Sequence, residues 1–239
     1  MNPDKGVLAL GDSITNGGGE LQWGVALQSW ALWVARATGL DFTSYAVDGA
    51  NIDNVLALQI RGFTHFNANP GARYELGCLY IGTNDVRALD WDAHEFASKF
   101  DRAVRFLAER CERTLTLTIP LDLGRPRAGE KVVECNAIIE QVAEAHGTLV
   151  TDLRDFRARN LVMPDHVHPT AFGQIVIAER ALATLAAAPE NPLAMRVPPR
   201  ELIYFEATRW GRLRGDLTYV YRHAKVSARA IGLLPQWRP

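Results

Sequence analysis

The stretch VLALGDSITNGGG, residues 7–19, starts with an apolar run, passes through Gly11-Asp12-Ser13 and ends on three glycines. A short apolar run bounded by glycine reads as a strand buried on both faces, as in parallel sheets. A serine directly after such a strand sits where doubly wound sheets bind ligands, outside the carboxyl ends of the strands. Either the loop only closes a strand, or Ser13 is displayed for chemistry. The rest of the chain decides between them.

Further strand candidates are FTSYAV (42–47), ELGCLYIG (75–82), TLTLTI (114–119) and TLVTD (148–152). Between them, apolar residues recur at helical spacing from 23 to 38, from Ala50 to Gly62, over 92–111, over 130–145 and over 171–187. This alternation predicts an α/β fold, a doubly wound, five-stranded parallel sheet with helices on both faces, plus a C-terminal extension. The boundary falls after residue 188, where prolines 189, 192, 198 and 199 interrupt the pattern. Residues 189–239 are then a Pro-rich linker and a basic, aromatic tail. Leu217, Val220, Tyr221, Ala224 and Ala228 fall on one helical face with Asp216 as cap, so the tail is expected to dock on the body or on a second copy in a homodimer.

A chain of 239 residues that is 48% hydrophobic and 22% charged has ample material for a packed core. Its net charge of −1 gives no case for nucleic acid as a partner. The charge is uneven, with nine Lys/Arg against four Asp/Glu in residues 190–239, and 17 against 23 before them. Arginines and aromatics mix in the tail, so membrane contact is not indicated. Cys78, Cys111 and Cys135 lack metal-finger or CxxC spacing and read as buried thiols. The N-terminal MNPDK lacks a signal-peptide pattern, and no apolar run reaches about 18 residues, which makes the cytoplasm the expected location.

A serine hydroxyl becomes nucleophilic when an oriented base takes its proton. Of six histidines, the one best placed is in MPDHVHPTAFG, residues 163–173. There Asp165 precedes His168 by three residues, and Pro169 stiffens the exit into a helix. Asp165 would hold His168 Nδ1, leaving Nε2 for Ser13. Donors for an oxyanion would come from the backbone N–H groups of Ser13 and Gly49 and the Asn84 amide, each just after a strand. Asp12, Thr83 and Trp23 are candidate substrate contacts. Gly17-Gly18-Gly19 reads as a flexible lip, since it lacks the lysine of a phosphate loop. His166 reads as a surface or packing residue, and His166, His168 and Asp165 find no further ligands, so no metal is expected. Taken singly, Ser13 or Asn84 has a plain role in its own loop; together they point to chemistry.

The blocks GDSI (11–14), Gly49, GTND (82–85) and DHVHP (165–169) together resemble the signature blocks of the SGNH, or GDSL-type, hydrolases. The resemblance covers residues 5 to 187 and implies a flavodoxin-like sheet carrying an esterase or lipase site. It implies Ser13 as nucleophile, His168 as base, Asp165 as its orienter, an oxyanion hole from Ser13, Gly49 and Asn84, a small-molecule acyl ester as substrate, and no cofactor. One departure concerns the second block: the family's asparagine-x-glycine is replaced by Ser44-Tyr45-Ala46, and Asp48 adds a carboxylate beside the expected hole. The alternatives are an acyltransferase using the same nucleophile and a non-catalytic binding module on the same scaffold.

Overall fold

The computed structural model describes residues 6–19, 25, 27–66, 71, 73–123, 128–158, 160–189, 193, 195–202, 217, 220, 221 and 224. Five parallel strands, β1 (Val7–Gly11), β2 (Phe42–Ser44), β3 (Tyr74–Tyr80), β4 (Cys111–Leu117) and β5 (Leu149–Thr151), form one sheet. Their order is β2-β1-β3-β4-β5. The chain moves outward from β1 to β2 and then crosses back to β3, so the order reverses between β1 and β3. That reversal opens a crevice at their carboxyl ends.

The strands are apolar because helices cover both faces. All five residues of β1 are buried. One face carries α2 (Trp30–Thr38) packed on α7 (Ala171–Ala187). The other carries α3 (Ile52–Asn54), a π-helical segment (Val55–Ile60), α4 (Arg61–Phe66), α5 (Ala93–Arg110) and α6 (Lys131–Ala145). The threonines that alternate in β4 are buried too, and they bond internally. Thr116 Oγ1 donates to the Leu79 carbonyl, and the Thr114 and Thr148 hydroxyls lie 2.6 Å apart.

Where the elements differ from the sequence expectation, a local bond explains it. Helix α2 starts at Trp30, not at 23, because Ser29 Oγ caps the Ala31 N–H and Gln174 Oε1 takes the Trp30 N–H. Strand β2 ends at Ser44, yet the Tyr45 and Val47 N–H groups still donate to Ala9 and Gly11 carbonyls, carrying the chain to 47. The helix expected from Ala50 to Gly62 is broken in register by its π segment and runs on to Phe66.

The Pro-rich stretch is also more closely tied down than a linker. Arg196 and Val197 both donate their N–H groups to the Ala37 carbonyl at the end of α2. A short 3-10 helix (Pro199–Leu202) then lies against α2 and α7. In the tail, Leu217, Val220, Tyr221 and Ala224 are helical, but the first three are 62%, 63% and 65% exposed. Among the described residues, Leu217, Val220 and Tyr221 are not covered by the body. Asp216 and Ala228 lie outside the described residues.

Candidate active site

Ser13 begins a single helical turn, α1 (Ser13–Asn16), raised directly off the end of β1. Asp12 makes the turn possible: its Oδ1 accepts the Ile14 N–H at 2.9 Å, a helix N-cap. Beneath it, Gln59 grips Gly11 from both sides, accepting its N–H at 2.9 Å and donating to its carbonyl at 2.7 Å. Gln174 ties the same turn to α7 by donating to the Ile14 and Gly18 carbonyls. The glycine run is packed, not a loose lip. A Cβ on Gly19 would lie 2.2 Å from the Pro169 carbonyl oxygen.

That contact brings the Ser13 turn against the loop before α7. In this loop Asp165 Oδ1 accepts the backbone N–H groups of Val167 and His168, at 2.9 and 3.0 Å, while Oδ2 lies 2.7 Å from His168 Nδ1. His166 takes a left-handed conformation, φ 59°, which folds the segment tightly enough for one carboxylate to reach all three groups. Thr170 closes the loop by capping the Gly173 N–H of α7. His168 Nε2 then lies 2.9 Å from Ser13 Oγ across 155 residues of chain. Serine, imidazole and carboxylate stand in one line.

The electrostatics follow from that line. The hydrogen bond to Asp165 raises the His168 pKa above 6.5; burial opposes this, and the charges of Asp165 and Asp12 add to it. Burial works against the Asp165 charge, but the bonds from His168 and the two backbone donors outweigh it and hold its pKa low. Asp12 is 1% exposed, and burial raises its pKa from 3.8 to about 7.

The loops after β2 and β3 are stitched together. Asn84 Nδ2 donates to the Ala50 carbonyl at 2.9 Å, and Asp85 Oδ1 accepts the Ile52 N–H at 2.9 Å. Gly49 sits at φ +75° with open space where a Cβ would be. Among the described residues, neither the Ser13 nor the Gly49 backbone N–H has a partner within the protein. Asp48 turns outward to the Asn16 side chain, at 2.9 Å.

Two expected substrate contacts are corrected by burial. Asp12 and Thr83 are each 1% exposed and face inward, Asp12 as a cap and Thr83 against the Tyr80 hydroxyl at 3.1 Å. Trp23 lies outside the described residues. His166 is exposed, 4.0 Å from Asp122. Sequence reading missed Gln59 and Gln174, whose one signal was an amide among apolar helical neighbours. Among the described residues, no group of three or more His, Cys, Asp or Glu is arranged to hold a metal ion.

A serine, a histidine and an aspartate thus lie in one hydrogen-bonded line at the switch point of the parallel sheet. The model of the GDSL-like lipase/acylhydrolase family matches residues 9–175, and the chain belongs to that family. It is an ester-hydrolysing enzyme. Among curated proteins, none matches the sequence. Solved structures share the fold. A lipolytic G-D-S-L family member from Veillonella parvula is 20% identical, with a TM-score of 0.61, covering 77% of this chain and 100% of its own. LAE5, an alpha/beta hydrolase from the metagenome of Lake Arreo, is 21% identical, with a TM-score of 0.58 and coverages of 76% and 94%. The acetylxylan esterase Axe2 of Geobacillus stearothermophilus is 17% identical, with a TM-score of 0.56 and coverages of 77% and 96%.

Proposed function

We propose that the enzyme cleaves carboxylic esters of small molecules through an acyl-enzyme on Ser13. The observation that carries this reading is the relay from Ser13 Oγ to His168 Nε2, 2.9 Å, and from Nδ1 to Asp165, 2.7 Å. As Oγ attacks the ester carbonyl carbon, its proton passes to Nε2 and the carbonyl electrons move onto oxygen. The intermediate collapses, the alcohol leaves with the proton from His168, and the acyl group stays on Ser13. Water then loses a proton to His168, attacks the acyl carbon and frees the acid and the serine.

The negative oxygen would be held by the Ser13 and Gly49 N–H groups, which have no partner among the described residues, and by Asn84. Asn84 Nδ2 uses one hydrogen on Ala50 and has a second to donate. Each such donor contributes about 3 kcal/mol to the transition state.

Labelling with a fluorophosphonate probe tests the proposal. We expect an adduct located by mass spectrometry on Ser13 and absent in Ser13→Ala; folded protein that takes no adduct would refute an activated serine. Acceptor alcohols added to an ester assay separate water from other acceptors, since acyl transfer would yield a new ester.

A further inference from the structure

The two backbone donors proposed for the negative oxygen sit on different elements, and they must converge within about 3 Å of one atom. Ser13 opens α1, whereas Gly49 lies in the loop after β2. That loop makes a turn from Val47 to Ala50, closed by the Ala50 N–H on the Val47 carbonyl at 3.2 Å. Gly49 has φ +75° and Asp48 is not left-handed, which fits the type II form with glycine in its third position. A Cβ at Gly49 would meet nothing within 4 Å, so glycine is here for conformation and not for fit. Glycine takes either sign of φ with ease. The centre of this turn is soft unless something outside it holds it.

The ends of the turn are held. Val47 donates its N–H to the Gly11 carbonyl at 3.1 Å, and the Ala50 carbonyl accepts from Asn84 Nδ2 at 2.9 Å. At the centre, Asp48 and Gly49 have one bond to the rest of the protein among the described residues. Asn16 Nδ2 supplies it, donating to Asp48 Oδ1 at 2.9 Å. Asn16 is the last residue of α1, the helical turn that Ser13 begins. The bond therefore joins the two elements that carry the two donors. By charge alone, a carboxylate beside a developing oxyanion opposes it. The role of Asp48 lies in its bond.

We infer that Asn16 and Asp48 are positioning residues, a brace that holds the Gly49 N–H in register with the Ser13 N–H. The inference rests on the ester-hydrolase reading and deepens it. Losing an oxyanion donor outright costs about 10²–10³ in kcat, and a donor that is loosened but present costs less, about tenfold.

Hydrolysis of 4-nitrophenyl acetate and ¹⁵N relaxation of Gly49 test the brace together. Asp48-Gly49 is the one Asp-Gly pair in the sequence, so carbonyl-¹³C aspartate with ¹⁵N glycine marks this amide alone. We expect Asn16→Ala and Asp48→Ala each to lower kcat about tenfold with KM within about twofold, the mark of a contact made in the transition state. Asp48→Asn keeps an oxygen for Asn16 and should retain the parent's kcat. The double alanine variant should lose no more than either single variant, since all three remove the same bond. The Gly49 order parameter should fall in Asn16→Ala from a rigid value of about 0.85. Both side chains are exposed, so folding is not at risk. Unchanged kcat in Asn16→Ala, or a loss in Asp48→Asn as large as in Asp48→Ala, would overturn the inference. So would an unchanged order parameter, which reads the turn without any turnover. A parent enzyme that takes no fluorophosphonate on Ser13 would sink the ester-hydrolase reading instead, and the order parameter would still decide the brace.

Discussion

His168 is flanked by negative charge, with the Asp165 hydrogen bond as the largest influence and buried Asp12 adding to it, while Arg87 opposes both. Each carboxylate favours the imidazolium, so the neutral imidazole that the proposed mechanism needs predominates only at a pH above the ordinary 6.5. We therefore expect kcat/KM on a simple ester to rise with pH to a midpoint above 6.5. A flat profile from acid to alkali would exclude His168 as the base. Replacing Asp12 by Asn keeps an oxygen for the Ile14 cap and removes one negative charge, so the midpoint should move to lower pH. Stability gives a second reading of the same group. Its folded pKa is raised from 3.8 to about 7, so the fold prefers the neutral acid. That contribution is complete below 3.8 and is lost as pH rises through about 7. The gain in Tm of Asp12→Asn over the parent should thus grow between pH 4 and 8; a gain that shrinks would contradict the buried-acid account.

Elements meet at the site through two buried amides. Gln59 holds the end of β1 from the π-helical segment, and Gln174 holds α1 and the start of α2 from α7. The π register is the one in which Gln59 grips Gly11. Substituting leucine at either position would strip the amide partners from buried backbone groups, at about 1–3 kcal/mol for each group left unsatisfied. Urea unfolding should show that loss for Gln59→Leu, and an unchanged midpoint would mean that water replaces the amide. Gly19 sets how closely the Ser13 turn and the loop before α7 approach. Its φ of +145° and its contact with the Pro169 carbonyl leave no room for a side chain. Gly19→Ala should lower kcat by pushing His168 away from Ser13, while fluorophosphonate labelling slows in step. Normal labelling with low turnover would place the fault elsewhere.

Over the whole molecule, the sheet, its two helical layers and the returning Pro-rich stretch form the body, and among the described residues of the tail's apolar face Leu217, Val220 and Tyr221 are exposed. Leu217 and Val220 are 62% and 63% exposed, so changing both to Asp should leave the unfolding free energy in urea within about 0.5 kcal/mol of the parent. A marked fall would show that this face is covered in solution, and a change in molecular mass by light scattering would identify a second copy as the cover. The strand-helix alternation, and so the sheet, was readable from the chain because apolar periodicity is local. GDSI, GTND and DHVHP were readable for the same reason: each packs its chemistry into a few residues at a strand end or before a helix. Element ends were less so, because Gln174 and Ser29 together decide where α2 begins.

The sequence by itself determined the α/β alternation, the edge of the sheet where chemistry gathers, and the serine, aspartate and histidine that meet there. Only the tertiary structure decided that Asp12 and Thr83 are buried supports, that the glycine run is packed, and that two distant glutamines pin the Ser13 turn. The reason is range. Motifs and periodicity act over a few residues, whereas the Gln59 and Gln174 bonds span 48 to 160 positions and exist only once the sheet has brought those segments together.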